Sequence, residues 1–282
     1  MAKDERKILI DFLTPDSDKK QRHPKLGCFY LNMEVNSDTK DQYIDYLGRA
    51  VQEAYVDSNY LSKVMEREGF EGVAKLFKER FENNKDFGVR TGDFGEIVGH
   101  TVLMDMFGYQ IPIYKIRYKT NWNKAVFGVD IIAFRLDEKD PSKDAVVFAE
   151  VKASKQKNYG VEKVFDEIKQ LVESGQPEAQ QKMRNAVRFV SERLFDLHQY
   201  ELEKRVYRFL DTYTNPHYVE AFYPFLVREK STWSDDVLDA VIIEESQREQ
   251  IVLCVFVIED LEQVINDVYE EATKLETHVA KL

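Results

Sequence analysis

Three charged residues in two apolar runs, Asp130, Glu150 and Lys152, have the types and spacing that phosphodiester hydrolysis requires. Side chains on a strand alternate between faces, so Glu150 and Lys152 in the run 145–152 project from the same face. Asp130 lies near the start of a second strand-like run, 128–134. Hydrolysis requires positive charge beside the phosphoryl oxygens and a means of activating water, and a cation held by carboxylates supplies both.

The two runs are separated by a polar connector that contains a proline, which predicts an antiparallel hairpin. Pairing Leu136 with Ala145 would place Asp130 opposite Val151, on the other face from Glu150. A register shifted by one residue places Asp130 opposite Glu150 or Lys152, on their face. We predict the shifted register.

Mg²⁺ is the cation that this set of residues favours, because it prefers hard oxygen ligands and is usually held by one or two carboxylates. Asp130 and Glu150 are the predicted carboxylate ligands, the main-chain carbonyl of Val151 is a further candidate, and Mn²⁺ is expected to substitute. Lys152 would lie beside the attacking water, where an ammonium group orients the water or stabilises developing charge.

A third carboxylate, Glu96, lies in the run 91–107, which reads as a helix that is apolar on most faces. A carboxylate in a buried helix requires a partner or a shifted ionisation, and a nearby metal ion would satisfy it. Glu96 is therefore a candidate catalytic residue and metal ligand. The alternative is that it caps the start of the helix or pairs with a lysine.

The order Glu96, Asp130, then Glu150-x-Lys152 resembles the PD-(D/E)xK nuclease superfamily, although Val129 stands where the motif has proline. More narrowly, the sequences Gly-Asp-Phe-Gly-Glu at 92–96, Phe-Gly-Val-Asp at 127–130 and Ala-Glu-Val-Lys-Ala-Ser at 149–154 resemble HamA nucleases of the Hachiman antiphage defence system. The resemblance implies an α/β fold of the restriction-endonuclease type, a mixed sheet flanked by helices, here with an N-terminal α/β extension. It also implies DNA cleavage controlled by a HamB-like helicase subunit.

The formal net charge of −11 opposes nucleic-acid binding, which depends on neutralising phosphates. Basic residues nevertheless collect on either side of the hairpin. We predict that these contact nucleic acid: Lys115, Arg117, Lys119, Lys124, Lys155 and Lys157. The alternative is that they only protect strand edges and aid solubility. A further basic group lies along a predicted helix: Lys182, Arg184, Arg188 and Arg193.

The 282 residues, 43% of them hydrophobic, are enough for one compact unit in which residues 1–84 pack on a nuclease core of residues 85–282. The chain shows neither a membrane-length apolar stretch nor a signal peptide, so we expect a cytoplasmic protein. Cys28 and Cys254 are expected to be buried free thiols. The sequence has no phosphate-binding Gly-x-x-x-x-Gly-Lys-Ser/Thr loop, so this chain is not expected to bind a nucleotide.

Hydrophobic periodicity predicts strands at 7–13, 27–35, 111–118, 218–227, 237–244 and 250–258 besides the hairpin. Helices are predicted at 40–55, 61–83, 161–174, from 177 to about 213, and at 261–281. His100, one turn after Glu96, is a candidate to hydrogen-bond that carboxylate or to approach the scissile phosphate, and the alternative is a role in helix packing.

Three functions fit these observations. The first is a magnesium-dependent DNA nuclease whose access to substrate is controlled by a helicase. The second is a noncatalytic adaptor that keeps the nuclease fold and binds DNA or a helicase, although an adaptor does not need carboxylates gathered around a lysine. The third is an RNase, which would use the same chemistry.

Overall fold

The computed structural model of the protein describes residues 8–15, 17, 19–82, 86–119, 128–172, 177–211 and 217–274. This part of the chain forms seven α-helices: α1 (Lys40–Tyr55), α2 (Ser58–Glu82), α3 (Phe87–Asp105), α4 (Val161–Val172), α5 (Pro177–Asp196), α6 (Tyr200–Tyr207) and α7 (Leu261–Glu271). None of these helices is both long and apolar enough to cross a bilayer.

A six-stranded mixed sheet forms the centre of the fold, as the sequence predicts. Its strands are β1 (Gln21–Arg22), β2 (Phe29–Glu34), β3 (Ile131–Arg135), β4 (Ala145–Ser154), β5 (Val219–Glu229) and β6 (Val252–Ile258). They lie in the order β1-β2-β6-β5-β4-β3; the four inner strands are parallel, and each edge strand is antiparallel to its neighbour. The sheet therefore joins strands from both ends of the chain.

Alternation along β4 divides the interior into two apolar layers. Val147, Ala149 and Val151 belong to the layer that includes residues of α1, α3 and α7. Val146 and Phe148 belong to the layer on the other face, which includes residues of α4 and α5. Helices thus cover both faces of the sheet, as expected for a mostly parallel sheet whose strands are apolar on both sides.

Local sequence signals explain where the helices beside the hairpin begin. The Asp86 carboxylate caps α3 by accepting the N–H groups of Gly88 and Val89. Pro177 is the first residue of α5. Proline is tolerated there because the N–H groups of the first helical turn have no acceptor within the helix. The α4 helix carries apolar residues at helical spacing, and that face is buried: Val161, Val164, Phe165, Ile168, Leu171 and Val172.

Three predicted strands are wrong. The segment 111–118 ends in a 3-10 helix, Lys115–Tyr118, and Pro112 lacks the N–H that a strand ladder needs. The segment 7–13 contains the 3-10 helix Leu9–Phe12, whose two buried residues lie three apart. The segment 237–244 overlaps the 3-10 helix Asp235–Ala240 instead of forming a strand.

The predicted helices are found in the structure, most of them with small shifts at their ends. The long run predicted from 177 is divided into α5 and α6 around His198, which adopts a left-handed backbone conformation. The helix predicted to continue to residue 281 is helical to Glu271, and residues 275–282 lie outside the described part of the chain.

Candidate functional site

The hairpin of β3 and β4 has the predicted shifted register. Ile131 pairs with Ala149 and Arg135 with Ala145, so extending the ladder by one residue places Asp130 opposite Glu150. Residues directly opposite one another project from the same face. Asp130, Glu150 and Lys152 therefore lie together at the open end of the hairpin.

Asp130 is held by the strand that carries the other two residues. Its Oδ2 accepts a hydrogen bond from the N–H of Val151 at 2.8 Å. In an antiparallel ladder a residue's N–H and C=O face the same neighbour, so the Val151 carbonyl also faces the side on which Asp130 lies. This orientation fits the predicted role of that carbonyl as a ligand, which stays a prediction.

Lys152 is paired with two carboxylates. Its Nζ lies 2.7 Å from Glu167 Oε2 on α4 and 3.8 Å from Asp130 Oδ2. Burial lowers the pKa of Lys152, but Asp130 and Glu167 outweigh that effect, so the pKa is raised above its usual value. Lys152 is therefore a cation at neutral pH and not a proton acceptor.

Glu150 is buried, with 4% of its side chain exposed, and Lys182 on α5 lies 3.4 Å from its Oε1. Burial and then the charge of Asp130 raise the pKa of Glu150 to about 8, while Lys182 acts in the opposite direction. Burial and the nearby carboxylates thus make ionisation of Glu150 costly, and a bound cation would reduce that cost.

Glu167 and Lys182 are site residues that the sequence interpretation missed. Glu167 lies three residues after Val164 and four before Leu171, both buried, so helical spacing alone places it at the edge of the apolar face of α4. Lys182 appears in a basic run, but its contact with Glu150 depends on how α5 packs. Sequence spacing contains no signal for that contact.

Glu96 lies on α3, which packs on the opposite face of the sheet. Gly95 and Gly99 allow this close approach, because a Cβ at Gly95 would lie 2.9 Å from that of Ala153 and one at Gly99 would lie 2.6 Å from Ile131 Cδ1. Burial, followed by the charges of Asp130 and Asp93, raises the pKa of Glu96 well above its ordinary value. Glu96 thus interacts with Asp130 from the far side of the hairpin end.

A family model for HamA matches residues 7–272, nearly the whole chain. The chain belongs to the HamA family. HamA is a subunit of the Hachiman antiphage defence system, so membership supports a role in antiphage defence and fits a protein with a partner subunit. No curated protein shows a significant match to the chain.

Two of the basic residues predicted to contact nucleic acid are buried in this HamA chain. The ammonium of Lys115 donates to the Val129 carbonyl and interacts with Glu96, Asp130 and Glu150. Lys119, with 1% of its side chain exposed, lies 2.6 Å from Asp93 Oδ2. Both ammonium groups neutralise internal carboxylates in this structure, and their predicted contact with nucleic acid stays a prediction.

The other predicted nucleic-acid residues differ in their surroundings. Arg117 is half-buried and lies 3.3 Å from Asp57 Oδ2. Lys155 and Lys157 form exposed ion pairs with Glu262 and Asp236, and such pairs exchange readily with solvent or phosphate. Lys124 lies outside the described residues.

His100 is buried and packs against Tyr114. Its ring meets Tyr114 edge to face, with 4.8 Å between ring centroids, and its Nδ1 makes no hydrogen bond within the part of the chain that the structure describes. Burial, with Arg117 and Lys115 nearby, lowers the pKa of His100 to about 3. The imidazole is thus neutral at physiological pH, which suits helix packing.

The donor set fits a hard divalent cation. Glu150 is buried and Glu96 is half-buried, and the raised pKa of each reflects desolvation and repulsion from Asp130, which a cation would relieve. Among the described residues, no group of three or more His, Cys, Asp or Glu side chains has the arrangement of a complete metal site. Mg²⁺ does not require three such side chains, since it usually takes one or two carboxylates and keeps several waters.

Proposed function

We propose that this HamA protein is a Mg²⁺-dependent DNA nuclease of the PD-(D/E)xK type, which acts in antiphage defence with a partner helicase. The observation that carries this proposal is the register that places Asp130 opposite Glu150, on the face of Lys152. Two carboxylates and an ammonium group at one strand end are the groups that metal-assisted phosphodiester hydrolysis requires.

Each group has a separate role in this proposal. Asp130 and Glu150 hold the cation, with the Val151 carbonyl and Glu96 as further candidate ligands. When bound, Mg²⁺ neutralises charge on the phosphoryl oxygens and lowers the pKa of water. Lys152, kept protonated by Asp130 and Glu167, stabilises the negative charge that develops on the phosphate in the transition state.

The partner helicase is proposed to control access to DNA. The chain carries a formal charge of −11, and two of its predicted DNA-contacting lysines are buried, so its own affinity for DNA is expected to be low. A partner that binds the strand and delivers it to the site would supply the missing affinity. We therefore expect weak cleavage by the isolated chain and faster cleavage by the complex.

The test is cleavage of end-labelled DNA by the chain alone and with the helicase, in Mg²⁺ and in EDTA, with labelled RNA as a parallel substrate. Glu150→Ala and Lys152→Ala are expected to reduce the rate by about 10³-fold or more. Matched controls are Glu162→Ala on α4 and Lys139→Ala in the hairpin connector, both at exposed positions. Cleavage retained by both site variants would reject the site, and cleavage of RNA alone would change the substrate.

A noncatalytic adaptor is the second candidate function. It is favoured by one observation: Glu150 and Lys152 are each already paired with a side chain of the protein, Lys182 and Glu167. Calorimetric titration with Mn²⁺ separates the two functions. The nuclease proposal requires binding that Asp130→Asn and Glu150→Gln weaken, whereas an adaptor requires none.

A further inference from the structure

Lys182 reaches the buried Glu150 carboxylate from the surface. It lies in the second turn of α5, 35% of its side chain is exposed, and its Nζ is 3.4 Å from Glu150 Oε1. Lysine side chains commonly bury the aliphatic stem and keep the ammonium near water. The Glu150 carboxylate is thus enclosed, whereas the Lys182 ammonium can move away without unfolding of α5.

The contrast with Lys152 shows which of the two lysines is exchangeable. Lys152 is 16% exposed and lies 2.7 Å from Glu167, and Gly160 packs against the stem of its side chain. Within the part of the chain that the structure describes, the Lys182 ammonium makes one hydrogen bond, near the long limit for such a bond. The pair with Glu150 is therefore weak in itself, and it persists because an isolated buried carboxylate is costly.

We infer that Lys182 and the divalent cation compete for Glu150, and that the displaced Lys182 ammonium then contacts a phosphate of the nucleic-acid substrate. This inference rests on the proposed function, because it assigns the cation to Glu150. It makes Lys182 a substrate-binding residue that neutralises the site when metal is absent.

Electrostatics gives the direction of the exchange. A cation at Asp130 and Glu150 supplies two positive charges where Lys182 supplied one, so Lys182 loses its attraction to Glu150 and is repelled by the ion. The exposed part of its side chain gives the ammonium a path towards solvent. Phosphate, which must approach the same carboxylates to reach the ion, is the anion that Lys182 would then meet.

The experiment measures metal binding and DNA binding separately in the full chain. Lys182→Met keeps the aliphatic stem and removes the charge, and Lys182→Arg keeps the charge. Arg188→Met removes one positive charge from an exposed position on the same helix, so it controls for a general change in charge. Mn²⁺ affinity is measured by calorimetry without DNA at about pH 8.5, where the Glu150 carboxylate is ionised and can pair with either Lys182 or the ion. DNA affinity is measured in saturating Mn²⁺ with a fluorescent single-stranded oligonucleotide, in a Lys152→Ala background that prevents cleavage.

Lys182→Met is expected to change the two affinities in opposite directions. Mn²⁺ binding becomes about tenfold tighter if Lys182 holds Glu150 in about nine-tenths of the metal-free molecules. DNA binding becomes weaker, and the slope of log K against log salt concentration falls by about 0.7, the value for one lost phosphate contact on a single strand. Lys182→Arg retains the DNA affinity, and Arg188→Met leaves Mn²⁺ affinity unchanged.

Several results would overturn the inference. Mn²⁺ affinity that is unchanged or weaker in Lys182→Met would show that Lys182 does not compete with the ion. Unchanged DNA affinity would show that it does not contact phosphate. If the native chain binds Mn²⁺ through Glu150 and cleaves DNA while Lys182→Met alters neither affinity, this inference alone fails. If the native chain shows no Glu150-dependent Mn²⁺ binding, the proposed metal site fails with it.

Discussion

Asp130 Oδ2 accepts the main-chain N–H of Val151 at 2.8 Å, at the open end of the hairpin. Ladder pairing begins one residue later with Ile131 opposite Ala149, so the carboxylate takes the place of a main-chain acceptor. The position of Asp130 is thereby tied to the strand that carries Glu150 and Lys152. Groups fixed in this way lose less freedom when a cation or a transition state binds.

Glu167→Gln should reduce DNA cleavage by about 10–100-fold while the fold is kept. Glu167 holds the Lys152 ammonium at 2.7 Å, and a neutral amide would hold it less firmly. The measurement is the cleavage rate at saturating Mg²⁺, with thermal unfolding as the check on folding. Glu162→Gln, an exposed glutamate on the same helix, is the control.

The two possible roles of Glu167 differ in their kinetic effect. If Glu167 positions Lys152, kcat falls and KM changes little, because the contact with Lys152 matters most in the transition state. A rise in KM with unchanged kcat would place Glu167 in substrate binding instead. A rate equal to that of the Glu162→Gln control would remove Glu167 from the site.

Lys119→Met should lower stability by about 3–5 kcal/mol, because it removes the Lys119 ammonium from the buried Asp93 carboxylate. Lys155→Met, which breaks an exposed ion pair with Glu262, should cost less than about 1 kcal/mol. Urea unfolding of both variants measures the difference. A small loss of stability in Lys119→Met, together with weaker DNA binding, would favour the predicted nucleic-acid role of Lys119 over a role in stability.

The hairpin site could be predicted from sequence because its determinants are local. Alternation along 145–152 fixes which side chains share a face, and a polar connector fixes the neighbouring strand. The burial of Lys115 and Lys119 could not be predicted, because basic residues among aromatic ones resemble an exposed binding surface. Only the tertiary fold shows that their ammonium groups face the internal carboxylates around Glu96 and Asp93.

Contacts between helices and strands could not be predicted from the sequence, because they too depend on the tertiary fold. The ion pair between Lys182 and Glu150 joins residues 32 positions apart. Its existence depends on the direction in which α5 leaves α4. The pairing of residues along a strand ladder follows from the number of residues between them. The packing of a helix depends on the volumes of many side chains at once.

Glu150→Gln should stabilise the metal-free protein, and increasingly so as the pH rises. The pKa of Glu150 is raised from 4.5 to about 8, so between those values the folded state binds a proton that the unfolded state has released, and folding weakens as the pH rises. Glutamine has no proton to lose. One pKa unit corresponds to about 1.4 kcal/mol, so about 5 kcal/mol is an upper limit at pH 8.

Urea unfolding in EDTA at pH 5 and pH 8 measures this effect as the difference between variant and native protein. The difference should be small at pH 5 and should favour the variant at pH 8. Addition of Mn²⁺ at pH 8 should reverse the order, because the ion stabilises only the protein that binds it. A pH-independent difference would mean that Glu150 is ionised in the folded state well below pH 8.

Three glycines on α3 test how closely that helix must approach the sheet. An added Cβ meets nothing within 4 Å at Gly92, but at Gly95 it would lie 2.9 Å from Ala153 Cβ and 3.1 Å from Val151 Cγ1. Gly92→Ala should therefore stabilise the protein by about 0.5–1 kcal/mol through helix propensity. Gly95→Ala should destabilise it by about 1–3 kcal/mol, because the Ala153 Cβ is fixed to the strand and cannot rotate away. Gly99→Ala should fall between them, since Ile131 Cδ1 lies at the end of a side chain that can rotate.

Urea unfolding ranks the stabilities of the three variants. Cleavage assays should show the largest loss of activity for Gly95→Ala, because that substitution moves Glu96 relative to β4. Equal stability of Gly92→Ala and Gly95→Ala would contradict this packing.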